Sequence, residues 1–130
     1  MTKRNRKLKV ITSSAGTLEA ILVDENPLTA SAVWNSLPIE ANANLWGDEI
    51  YFTTPVQMTL ENSKPIVDVG DIAYWPPGKA ICIFFGLTPI SGGNEIRPAS
   101  PVNVFAHIES NLEKLKKVKS GERIRLESSE

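Results

Sequence analysis

Cysteine and histidine each occur once in these 130 residues. A lone thiol, Cys82, excludes an internal disulfide, and its place between Ile81 and Ile83 reads as a buried, inert side chain rather than a nucleophile. The lone histidine, His107, sits between Ala106 and Ile108 and reads as a structural or exposed strand residue. A catalytic triad or metal site needs partners that the sequence does not place beside it. Metal-ligand spacings, glycine-rich phosphate loops and nucleophile elbows are missing too, and Gly92-Gly93 is a flexible point, so no cofactor is expected. Charge of one sign is not in excess. The 14 Lys and Arg stand against 15 Asp and Glu, for a net charge of -1. That balance argues against bulk electrostatic binding to nucleic acid or to anionic membranes. No apolar run approaches the ~20 residues of a membrane-spanning helix, and the basic start of the chain is not followed by the apolar segment of a secretory signal. The expected compartment is the cytoplasm. Internal repeats and linkers are absent.

What remains is enough for one domain and short for two. With 42% hydrophobic residues, a chain of this size can bury roughly two thirds of its unfolded surface without metals or staples. Residues 1–7 form a basic arm bearing Lys3, Arg4, Arg6 and Lys7, continued by Lys9; it reads as a solvated tail or as an arm that touches an acidic partner. Lys114, Lys116, Lys117 and Lys119 make a second cluster. Residues 8–127 are expected to fold as a single domain.

The periodicity is mostly that of strands. Leu8–Thr12 and Thr17–Val23 flank Ser13-Ser14-Ala15-Gly16 and read as a hairpin. Asn26 offers an N-cap and Pro27 a first helical residue. Ala30, Val33, Trp34 and Leu37 follow at helical spacing until Pro38 ends the helix. Ile39, Ala41, Ala43 and Leu45 alternate with polar residues, the cleanest strand signal in the chain, and are expected to point inward. After a Gly47-Asp48 turn, Glu49–Thr53 returns. Thr54–Lys64 reads as a loop, and Val67–Val69 leads into a Gly70-Asp71 turn. Ile72–Trp75 and Ala80–Phe85 are aromatic-bearing strands joined by Pro76-Pro77-Gly78. Residues 86–101 make a long irregular loop, and loops of that length are often functional. Val102–Ile108 is a further strand, Glu109–Val118 a second short helix, and Glu122–Leu126 a last strand. About eight strands and two short helices predict a mainly β fold. The expected form is a closed barrel with the helices over its open ends; an open α+β sandwich is the rival.

Several stretches carry a family likeness. Gly16-Thr-Leu-Glu-Ala-Ile-Leu-Val, Pro27-Leu-Thr-Ala and Val33-Trp34 resemble the opening of a cyclophilin. Trp46-Gly-Asp-Glu-Ile-Tyr-Phe, Gly70-Asp-Ile-Ala-Tyr-Trp-Pro-Pro-Gly-Lys-Ala, Phe84-Phe-Gly-x-Thr-Pro and Arg97-Pro-Ala-Ser-Pro-Val-Asn-Val resemble the small bacterial and archaeal cyclophilin-like proteins, in order over about residues 8–126. The resemblance implies a cyclophilin-like barrel. It does not imply prolyl isomerisation. In true cyclophilins an arginine polarises the proline amide from the strand before a Phe-Met-x-Gln segment. The corresponding strand here, Glu40–Trp46, has no arginine, and Glu49-Ile-Tyr-Phe lacks the glutamine.

The candidate site is an aromatic and polar set. Trp46, Tyr51, Phe52, Tyr74, Trp75, Phe84 and Phe85 cannot all share one small interior, because strand alternation sends them to both faces. Some are expected to line a cleft, the usual form of a ligand site; Phe52 and Phe84 read more readily as core than as cleft residues. Arg97 either clamps a ligand carboxylate or holds the loop by pairing with Glu49 or Glu95. Glu49 is read as a pocket residue or a surface charge, and Asn103 as a partner for loop backbone or a ligand contact. The ligand-binding candidates are therefore Trp46, Glu49, Tyr51, Tyr74, Trp75, Phe84, Arg97 and Asn103, with no catalytic residue and no metal ligand among them. The expected function is a non-catalytic module binding a small molecule or short peptide, as a monomer or homodimer. Weak prolyl isomerisation through Arg97 and a structural role in a larger assembly are the alternatives.

Overall fold

The computed structural model describes residues 6–129. Its strands are β1 (Lys7–Thr12), β2 (Gly16–Leu22), β3 (Ile39–Asn42), β4 (Asn44–Leu45), β5 (Glu49–Thr53), β6 (Asp71–Trp75), β7 (Ala80–Phe84), β8 (Asn103–Ile108) and β9 (Arg123–Ser128). They form one antiparallel sheet in the order β3-β9-β1-β2-β8-β6-β7-β5-β4. The first and last strands of that order are consecutive in the chain, so the sheet curls into a nearly closed barrel. The continuous strand expected over residues 39–45 is in fact two, which is why nine strands replace the expected eight. Ala43 is the joint: its N–H donates to Glu122 O at 2.7 Å and its carbonyl accepts from Gly121 N–H at 2.7 Å. β3 then pairs with β9 and β4 with β5. Leu45, expected inside, lies past this change of partner and is exposed.

Alternation sorts the side chains into two cores. Leu8, Val10, Leu18, Ile50, Phe52, Ile72, Tyr74, Ile81, Ile83, Ile124 and Leu126 fill the barrel. Helix α1 (Pro27–Ser36) adds Ala30 and Val33 to that interior, and the segment Leu112–Lys117 with its flank adds Leu115 and Val118. That second helix is shorter than expected and of the 3₁₀ type. A smaller core lies on the outer face of β6, β7 and β8, where Ala73, Cys82, Phe84 and Val104 are covered by Val67, Ile96 and Val102. A bulge on β8 leaves Phe105 without a partner on β6, since Ile72 faces Ala106 while Ala73 faces Val104.

The α1 N-terminus is not capped as expected. Asn26 makes no side-chain cap; its amide donates to Val104 O and its oxygen accepts from Asn62 N–H. A remote carboxylate, Glu61, takes the N–H groups of Leu28 and Thr29, satisfying orphan donors where negative charge is favoured. Of the basic arm, residues 1–5 lie outside the described residues; Arg6 stacks its guanidinium 5.0 Å from the Trp34 ring centre, and Lys7 already belongs to β1.

Candidate functional site

The site grows from a two-residue turn. Trp46 and Glu49 exchange both backbone hydrogen bonds across Gly47-Asp48, so their side chains share a face. Tyr51, two residues on, shares it too. In register, Tyr51 faces Cys82 and Glu49 faces Phe84 on β7, while Cys82 faces Ala73 on β6. This is the outer face of the sheet, on the side opposite Ile50, Phe52, Tyr74 and Ile83.

The loop over residues 86–101 supplies the roof. Asp48 N–H donates to Leu87 O and Phe85 N–H donates to Asp48 O, both at 2.9 Å. Gly47 has φ +60°, and a Cβ there would lie 2.8 Å from Pro89 Cδ and 2.9 Å from Leu87 O. The Trp46-Gly-Asp and Phe84-Phe-Gly-x-Thr-Pro stretches thus fit against each other. Thr88 and Ser91 fix the loop beyond: Ser91 Oγ accepts from Thr88 N–H at 3.0 Å and Arg97 N–H at 3.1 Å, and the Thr88 hydroxyl donates to Arg97 O. Trp75 closes one side. Its indole N–H donates to Ser100 Oγ at 2.6 Å, and its ring lies so close to Gly78 that a Cβ there would be 2.6 Å from Cζ3.

The result is a cavity of about 170 Å³ lined by Trp46, Glu49, Tyr51, Trp75, Cys82, Pro98 and Ala99. The three aromatic residues are half-buried and reach solvent, whereas Glu49 is 5% and Cys82 2% exposed. Among the described residues Glu49 Oε1 has no hydrogen-bond partner. Burial raises the Glu49 carboxyl to about 7, partly offset by a hydrogen bond from the Cys82 thiol. Burial, with the Glu49 carboxyl beside it, pushes the Cys82 thiol well above its ordinary value, as for an unreactive sulfur.

Four of the candidates therefore meet: Trp46, Glu49, Tyr51 and Trp75. Tyr74 is on the inner face, fully buried, and its hydroxyl donates to Val56 O at 2.7 Å. Phe84 is buried in the outer core. Arg97 pairs with Glu95 at 3.0 Å on the exposed side of the loop. Asn103 is fully buried and serves backbone and hydroxyl groups, accepting from Glu61 N–H and donating to Thr59 O and Thr29 Oγ1. Cys82, Pro98 and Ala99 were outside the sequence-based set. Cys82 enters through the pairing of β5 with β7, strands that are not consecutive in the chain, so no local pattern marks it. His107 contacts Asp71 Oδ1 at 3.0 Å, and Asp71 Oδ2 accepts from Asp68 N–H. A second, polar hollow borders Glu40, Asn42, Thr53 and Arg123, where Glu40 is held by Arg123 and Arg125. No cluster of three or more potential metal-ligating side chains occurs among the described residues, and none of their helices is long and apolar enough to cross a membrane.

Comparison with known proteins bears on the same architecture. The family model described as cyclophilin-like matches residues 6–127. The solution structure of the hypothetical protein AF2241 from Archaeoglobus fulgidus is similar at 48% identity and a TM-score of 0.82, covering 99% of this chain and 100% of that one. No curated protein matches.

Proposed function

This chain belongs to the small prokaryotic cyclophilin-like family, and on that footing we propose that it is a binding module, taking a small molecule or one side chain of a short peptide in the Trp46–Glu49–Tyr51–Trp75 pocket. The observation that carries this reading is Glu49 Oε1, a buried acceptor with no partner among the described residues. An unsatisfied buried polar group costs about 1–3 kcal/mol, and a ligand that satisfies it recovers that cost. Aromatic walls with one polar group at the base are the usual make-up of a small-molecule site. Among the described residues no arginine lines the cavity and Arg97 is engaged with Glu95, which favours binding over prolyl isomerisation; an assay on proline peptides is expected to show no rate above background.

The test is a proton–nitrogen NMR titration with metabolite pools and proline-containing peptides. Saturable shifts of the Trp46 and Trp75 indole N–H signals are expected, and they are expected to weaken in Trp75→Ala while Arg97→Ala retains them. A spectrum that no pool moves overturns the reading.

A further inference from the structure

We infer that the pocket is made for an organic cation: a methylated ammonium head group seated among Trp46, Tyr51 and Trp75, with the Glu49 carboxylate as its counter-charge. The inference rests on the binding reading above and names the ligand class.

Charge comes first. A buried carboxyl normally has a cation or several donors beside it. Here the donor is one thiol, Cys82, and among the described residues no Lys or Arg lines the cavity. The nearest loop cation, Arg97, is turned to Glu95. The other titratable groups lining the pocket are Tyr51 and Cys82, and the adjoining turn adds Asp48, so among the described residues the lining holds no competing positive charge. The wall chemistry points the same way. Faces of Trp and Tyr attract cations through their ring quadrupoles, most strongly when the site is partly desolvated. Trp75 cannot drift out of the wall, because Ser100 holds its N–H and Gly78 lies against its ring.

Two alternatives fit less well. A divalent metal needs more oxygen, nitrogen or thiolate ligands than one carboxyl beside a buried thiol, and no cluster of three occurs among the described residues. A primary ammonium brings three N–H donors, and among the lining side chains only Glu49 and the Tyr51 hydroxyl carry strong acceptors for them. A methylated ammonium has few or no donors to satisfy. Size also agrees: a cavity near 150 Å³ holds a benzene, so about 170 Å³ takes a compact head group while the rest of the molecule projects to solvent.

The experiment is NMR titration of the whole protein with choline, tetramethylammonium and 3,3-dimethylbutan-1-ol, the uncharged isostere of choline, at pH 6 and pH 8. Both cations are expected to saturate shifts at Trp46, Trp75 and the Glu49 region, and the isostere to bind at least tenfold more weakly. Only the ionised carboxyl serves a cation. With its midpoint at about 7, the ionised fraction, and so the affinity, rises about tenfold from pH 6 to pH 8. A neutral hydrogen-bond acceptor prefers the protonated carboxyl and shows the opposite slope. Glu49→Gln, checked for its dispersed spectrum, is expected to lose cation binding by at least tenfold. A trimethyllysine peptide titrated beside choline separates a modified protein side chain from a free small molecule; tight binding of either supports the inference. If the isostere matches choline, or cation affinity falls between pH 6 and pH 8, the cation assignment is overturned and the binding reading stands. If neither these probes nor the metabolite pools move the pocket signals, both are overturned.

Discussion

At Glu49, burial opposes ionisation, which gives its effect on stability a definite sign. Between its ordinary value of 4.5 and about 7, the folded state holds a proton that the unfolded chain has released. The native protein then binds more protons than the unfolded one, so stability falls as pH rises through that window and levels off above it. The shift corresponds to about 3 kcal/mol at most. Glu49→Gln is expected to flatten this slope, gaining stability over the wild type at pH 8 and little at pH 5; urea unfolding at the two pH values measures it, and parallel slopes would sink the assignment. Glu122 works in the opposite direction. Desolvation raises its carboxyl, but hydrogen bonds from Lys119 N–H and Ser14 N–H outweigh that and bring it to about 2. The stability it contributes is present above 4.5 and is lost as pH falls through about 2. Asn103 illustrates a polar residue spent on structure. Asn103→Ala leaves Glu61 N–H and Thr59 O without this partner, while Thr29 Oγ1 keeps Glu61 Oε1, and is expected to cost about 2–3 kcal/mol in chemical denaturation, with pocket affinity unchanged.

The elements around the pocket are joined by turns whose small residues are spatially required. The 3₁₀ turn Pro76–Gly78 ends with Lys79 in the left-handed region at φ 47°, and it brings Gly78 under the Trp75 ring. Gly78→Ala places a Cβ inside that contact. The ring must move, so the Trp75 indole N–H signal should shift and pocket affinity should drop several-fold, with a stability cost of about 1–2 kcal/mol. An unmoved indole signal would contradict the packing described. In the loop, the Thr88 hydroxyl and Ser91 Oγ hold Arg97 from two sides. Thr88→Val removes one hold, and hydrogen exchange is expected to accelerate at Ser91 and Arg97 before it does in β5 or β7.

For the whole molecule, closure depends on β9, which lies between β3 and β1 and carries Ile124 and Leu126 into the core. A chain cut after Glu122 would lose that burial and expose two strand edges. It is expected to give a collapsed or aggregating species by circular dichroism and light scattering, whereas a folded monomer would show that the barrel does not need this strand.

Local sequence was enough for the pieces whose geometry is local. A two-residue turn at Gly47-Asp48 and a period of two afterwards place Trp46, Glu49 and Tyr51 on one face, and the Pro-Pro-Gly turn sets β6 beside β7. Composition and alternation likewise gave the mainly β core, and the quoted stretches gave the family. Other features depend on residues far apart in the chain. Tyr74 and Trp75 must face opposite ways, but which of them faces inward follows from where the barrel closes. The break at Ala43 exists because Gly121 and Glu122 bond to it, and the cap of α1 comes from Glu61, over thirty residues away. Arg97 pairs with Glu95, its neighbour in the loop, and whether it also reaches Glu49 depends on how the loop folds back over β5. Cys82 joined the site only once β7 lay between β5 and β6. Short-range rules place neighbours on a face; tertiary packing decides which face becomes an interior and which buried carboxyl oxygen is left without a partner.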